Sequence, residues 1–128
     1  MKRNISLLLV DDDIDDQEIF LMTVDALNAA ISCSTASNGE DALRILNNPE
    51  NAVPDFIFLD VNMPRMNGLQ CLENIRNNKA FDRCGIYMYS TTAEEHVVEK
   101  SRKLNAGFIV KPIHTNDLKE RLRTIFGL

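Results

Sequence analysis

Short apolar runs alternate with longer amphipathic stretches from one end of the chain to the other, and this alternation restricts the fold more than any other feature. The runs are Ile5–Val10, Ile31–Ala36, Phe56–Leu59, Ile86–Tyr89 and Phe108–Val110. Ile5–Val10 and Phe56–Leu59 are almost continuously apolar, as strands covered on both faces are. Ile31–Ala36 is more polar and reads as an edge strand. The intervening stretches carry apolar residues at helical spacing: Ala42, Ile45 and Leu46 in one, Leu69, Leu72 and Ile75 in another, and Leu118, Leu122 and Ile125 in the last. The expected helices cover about Ile14 to Ala30, Asn38 to Asn48, Gly68 to Asn77, Thr92 to about Asn105, and a final segment around Leu118 to Ile125. Asp13 is placed to cap the first, and Thr92 with Glu95 has capping-box spacing for the fourth. Strict strand–helix alternation predicts a parallel sheet with helices on both faces. A chain of 128 residues holds one such domain, with no repeat or linker left over.

Composition excludes several classes. Apolar residues make up 45% of the chain, too many for a disordered segment. The apolar run Leu7–Val10 is too short to cross a bilayer and ends in aspartates rather than a cleavage site, so a cytoplasmic protein is expected. The three cysteines, Cys33, Cys71 and Cys84, show no metal-ligand spacing and read as reduced structural thiols. The net charge of −5 is concentrated in one place: Asp11, Asp12, Asp13, Asp15, Asp16 and Glu18 form an acidic segment without a basic residue. No basic footprint for nucleic acid exists.

Four of the predicted strands end in a reactive residue: Asp11-Asp12, Asp60, Ser90 and Lys111. Open parallel sheets bind ligands at the carboxyl ends of their strands, where the strand order switches. In a flavodoxin-like, doubly wound arrangement of order 2-1-3-4-5, the first and third strands are neighbours at that switch. Asp11, Asp12 and Asp60 then share one pocket. At about 4.8 Å per strand, Lys111 starts roughly 10 Å from Asp60, a gap a lysine side chain largely covers. Clustered carboxylates repel and raise one another's pKa values, which a divalent cation relieves. An all-oxygen donor set suits Mg2+. One carboxylate can then attack phosphorus, with cation, lysine and hydroxyl neutralising the charge. Taken singly, an aspartate run before a helix is a solvated cap, the reading assigned to Asp13, Asp15 and Asp16. A lysine before proline and a serine at a strand end are singly turn residues. The four matched strand ends together outweigh those separate readings.

The segments LLLVDDD, FIFLDVNMPRMNG, IYMYSTTAEE and GFIVKP, in this order, resemble the receiver domain of two-component response regulators across essentially the whole chain. The resemblance implies that Asp60 is the phosphoacceptor and that Asp11 and Asp12 hold Mg2+, Asp12 more directly. It implies that Asn62 adds its backbone carbonyl to the metal. Ser90 and Lys111 bind the phosphoryl group, Phe108 is the aromatic switch, and the Lys111–Pro112 bond is cis. Ser90 stands where threonine is commoner, Phe108 where tyrosine is frequent, and Gly85 where a proline often precedes the fourth strand. Asn62 and Thr92, at positions that tune dephosphorylation in relatives, suggest no unusual rate. A histidine kinase or histidine phosphotransfer protein is the implied donor. The face built from the fourth helix, fifth strand and fifth helix is the implied output surface toward a protein partner, with the protein a monomer or a phosphorylation-dependent homodimer. With the chain ending at Leu128, no output domain is expected, and no catalysis beyond self-phosphorylation and slow autodephosphorylation. His96 and His114 read as surface residues. One alternative is a pseudo-receiver that binds partners without phosphate. Another is an aspartate-nucleophile phosphatase, which usually carries a second aspartate where this chain has Asn62. A flavin-binding domain is disfavoured because aspartates occupy its phosphate-loop position.

Overall fold

The computed structural model describes residues 4–111 and 114–128. Its elements are β1 (Ile5–Val10), α1 (Ile14–Asp25), β2 (Ile31–Ala36), α2 (Gly39–Asn47), β3 (Phe56–Leu59), α3 (Gly68–Arg76), a 3-10 turn (Lys79–Phe81), β4 (Gly85–Ser90), α4 (Glu95–Lys103), β5 (Ala106–Val110) and α5 (Thr115–Phe126). The strands pair in parallel in the order β2-β1-β3-β4-β5. This is the flavodoxin-like doubly wound sheet expected from the alternation, with β2 at an edge. The expected cis bond at Lys111–Pro112 lies outside the described residues.

Alternating strand side chains build two cores, one on each face. Leu8, Val10, Ile57, Leu59, Ile86 and Met88 pack with Ala42 and Leu46 of α2 and with Cys71, Leu72 and Ile75 of α3. On the other face Leu7, Leu9 and Phe58 meet Phe20 and Val24 of α1 and Leu118, Leu122 and Phe126 of α5. Phe58 centres an aromatic cluster, with ring centroids 5.1 Å from Phe20, 5.6 Å from Tyr87 and 6.2 Å from Phe126. Removing each such side chain from water stabilises the fold by roughly 1.5–3 kcal/mol. Cys33, Cys71 and Cys84 are free thiols, and burial pushes each up to about 11, the behaviour of structural rather than reactive cysteines.

Helix starts follow their caps. The Asp13 carboxylate accepts from the Asp15 and Asp16 N–H groups at 2.9 and 3.3 Å. Asn67 and Gln70 form a reciprocal capping box at α3. Most boundaries fall within two residues of the sequence expectation, and two helix ends differ by more. α1 stops at Asp25 rather than reaching Ala30, because Leu27 must turn back into the core and Asn28 takes a left-handed φ of 52°. The Thr92–Glu95 capping box does not form. α4 begins at Glu95, with Glu94 as an N-cap that makes no side-chain bond, while the Thr92 N–H donates to Ser90 Oγ at 3.4 Å.

The last residue of α3 fastens the far end of α4. Arg76 Nε donates to the Leu104 carbonyl at 2.9 Å, Nη1 to Phe81 at 2.8 Å, and Nη2 to Cys84 at 3.1 Å and Asn105 at 3.0 Å. Only a planar guanidinium reaches four carbonyls set this way. Arg76→Lys is expected to lower stability by about 2 kcal/mol, since several charge-assisted bonds, three of them part-buried, are lost. Hydrogen exchange checks this: Asn105 and Ala106 amides should exchange faster than those of α1.

Candidate functional site

The sheet register delivers the four strand ends together. Val10 pairs with Leu59, Leu59 with Met88, and Ser90 with Val110. The ladder carries one step further: Asp60 N–H donates to Val10 at 2.9 Å and Lys111 N–H to Ser90 at 2.7 Å. Each chemical group therefore leaves the sheet just where backbone pairing ends.

Carboxylate oxygens of Asp11, Asp12 and Asp60 lie within 4.8 Å of one another. Their environments differ. Asp11 is fully buried, and both its oxygens are engaged: Oδ1 accepts from the Asp13 N–H at 2.9 Å and Oδ2 from Lys111 Nζ at 2.9 Å. Asp60 is 7% exposed; its Oδ1 accepts from the Asn62 N–H at 3.4 Å and lies 4.0 Å from Lys111 Nζ. Asp12 is exposed at the rim. Burial pushes the Asp60 carboxyl from 3.8 up to about 7; Lys111 opposes the rise, and Asp11 and Asp12 add to it. The Lys111 ammonium is raised above its ordinary value: burial works against the charge, but bonds to Asp16 and Asp11 outweigh it. The pocket thus gathers four carboxyl groups, Asp11, Asp12, Asp16 and Asp60, around one ammonium, an imbalance a cation relieves.

Gly68 lets α3 begin directly against the site. A Cβ there would stand 2.1 Å from the Asp60 carbonyl oxygen, and the Gly68 N–H donates to the Val61 carbonyl at 2.9 Å. Ser90 is 1% exposed. Phe108 is half-buried and packs against the α2–α3 core, beside Met88 across the β4–β5 ladder. Asn62 is exposed in the loop after Asp60. His96 and His114 are exposed, as their surface reading requires.

Two neighbours of the site were not expected. Asp16 does not behave as a solvated cap residue. Its Oδ2 accepts from Lys111 Nζ at 2.8 Å, while Asp13 and Asp15 remain exposed as helix-start residues. Helical spacing contained the signal, because Asp16 heads the inward stripe that continues through Phe20, Val24 and Leu27. Tyr89 is the other: it is 4% exposed and its ring centroid lies 5.2 Å from Lys111 Nζ. Burial pushes its phenol up to about 12.

The family description "Response regulator receiver domain" matches residues 7–123. The chain belongs to that family. Among curated proteins, this receiver is 30% identical over 127 residues to the chemotaxis protein CheY-3 of Vibrio cholerae, covering 98% of this chain and 95% of that one. The solved structure of the chemotaxis response regulator CheY4 of Vibrio cholerae superposes with a TM-score of 0.81 at 26% identity, covering 96% of this chain and 99% of that one. A cyanobacterial phytochrome response regulator, RcpA, shares the fold with a TM-score of 0.85 at 22% identity, over 96% of this chain and 91% of that one. Among the described residues of the receiver, no helix is long and apolar enough to cross a membrane.

Proposed function

We propose that this receiver is a phosphorylation-activated switch in which Asp60 accepts a phosphoryl group in a Mg2+-dependent reaction. The observation that carries the reading is the Asp60 carboxylate itself. It is almost buried, it is clustered with Asp11 and Asp12, and it is aligned with but not bonded to Lys111. The donor set is all oxygen and includes an exposed member, which fits a hard cation that keeps some of its water. Asp12, Asp60 and the Asn62 backbone carbonyl would hold it, with Asp11 behind them. Bound there, Mg2+ supplies charge neutralisation for the carboxylate and the incoming phosphoryl oxygens.

Asp60 then attacks the phosphorus of a phosphohistidine on a histidine kinase or phosphotransfer protein. An O–P bond forms, the P–N bond breaks, and the electron pair returns to the imidazole. Lys111 and the Ser90 hydroxyl bind the new oxygens. Phe108, already packed beside Met88, follows Ser90 inward, and the α4-β5-α5 face changes shape for a protein partner. The chain's own catalysis is limited to gaining and slowly losing this group.

Incubation with acetyl phosphate and intact-mass measurement tests the reading. One phosphoryl adduct is expected, dependent on Mg2+ and absent in Asp60→Asn. A wild-type protein that binds beryllofluoride with Mg2+ but takes no phosphate, or that binds neither, would be a phosphate-independent interaction module instead.

A further inference from the structure

The resting position of Lys111 is set by a residue outside the carboxylate cluster. An ammonium has three donors. In Lys111 two are taken by short bonds, to Asp11 at 2.9 Å and to Asp16 at 2.8 Å. The nearest Asp60 oxygen, at 4.0 Å, is beyond hydrogen-bond reach. Asp11 belongs to the clustered three, so a lysine bonded to it stays beside Asp60. Asp16 does not. It sits on the first turn of α1, where the Asp13 cap fixes the backbone and Gln17 Nε2 ties the same turn to the Asp11 carbonyl at 2.6 Å. The Tyr89 ring lies against the ammonium at 5.2 Å and supports it in this place.

We propose that Asp16 is a resting-state counter-ion that competes with the phosphoryl group for Lys111, and so sets how readily the switch turns on. This deepens the phosphoacceptor reading and rests on it. Asp16 is a positioning residue: it acts through Lys111 and touches no reacting atom. A phosphoryl group on Asp60 draws the ammonium across the remaining gap, and the Asp16 bond resists that movement. The Asp16 side chain is 33% exposed, so the competition is screened and modest. Loss of its charge should tighten binding of a phosphoryl mimic about fivefold, the size of a partly exposed ion pair.

The test is a beryllofluoride titration with Mg2+, followed by the side-chain amine signal of Lys111 in lysine-labelled protein and assigned by its loss in Lys111→Arg. In Asp16→Asn the resting Lys111 signal should move toward the position that the wild type reaches only with beryllofluoride, and affinity should rise about fivefold. Asp16→Glu, which keeps the charge, should return both readouts toward wild type. A wild type that responds, beside an Asp16→Asn whose resting signal and affinity are unchanged or whose affinity falls, overturns the Asp16 role alone. A wild type with no Lys111 response and no acetyl phosphate adduct overturns the phosphoacceptor reading and this proposal with it.

Discussion

Gly68→Ala should unfold far more easily than the wild type, with a stability loss of about 3 kcal/mol or more. The methyl would stand 2.1 Å from the Asp60 carbonyl oxygen and 2.9 Å from the Val61 Cα. These are backbone atoms, one of them belonging to Asp60, and no rotamer change relieves the clash. Either α3 retreats, breaking the Gly68–Val61 hydrogen bond and loosening Leu72 and Ile75, or the end of β3 shifts and takes the Asp60 carboxylate with it. Urea denaturation measures the first effect. The yield of acetyl phosphate adduct in the surviving folded fraction measures the second. Near-wild-type stability together with a normal adduct would mean that the helix start has slack the geometry does not show.

Lys111→Met should be nearly as severe, and its severity should depend on pH. The substitution keeps most of the apolar stem but leaves Asp11 and Asp60, both essentially buried, without their cation. Stranding buried charges in this way costs about 3–5 kcal/mol; the partly exposed Asp16 adds less. The sign follows from Asp60. Its carboxyl titrates near 7 in the fold against an ordinary 3.8. The proton it retains stabilises the native state fully below 3.8, and that contribution fades as pH rises to about 7. Removing Lys111 removes the charge that opposes the rise, so the window extends upward. The deficit of the variant in thermal denaturation should therefore be larger at pH 8 than at pH 5, and Mg2+ should narrow it at the higher pH. A deficit independent of pH would show that packing, not charge, is what Lys111 contributes.

The parallel sheet, its order and the strand ends were legible because hydrophobic period and strand–helix alternation are set by local sequence. The gathering of Asp11, Asp12 and Asp60 followed from topology alone, since neighbouring parallel strands place equivalent ends side by side. What escaped was mostly set by how elements pack. Asp16 looked like one more acid in a run of acids; its inward position depends on the helical phase fixed by Phe20. Tyr89 looked like an ordinary strand aromatic until Lys111 folded against it. Gly85 departs from the usual proline because Phe56 lies across it: a Cβ there would meet the ring at 2.7 Å. In the Arg76 clamp, the Phe81 and Cys84 carbonyls are near in sequence, but those of Leu104 and Asn105 lie 28 and 29 residues away and leave no local mark.

Among the described residues, α4 is fastened by side-chain hydrogen bonds from another element at its far end only. Arg76 grips the chain at Leu104 and Asn105, whereas the start of the helix has no side-chain cap, and only Val97 and Ser101 are buried along its length. A beam clamped at one end changes pose without its foundation being rebuilt. The balance between its poses is also open to small adjustments from solvent-facing positions such as Glu95, His96 and Glu99, none of which touches the phosphate chemistry. A change of about 1.4 kcal/mol there alters the ratio of poses tenfold. Divergence of such a protein toward new partners can therefore proceed on the outside of one helix while the chemistry proposed for Asp60 stays as it is.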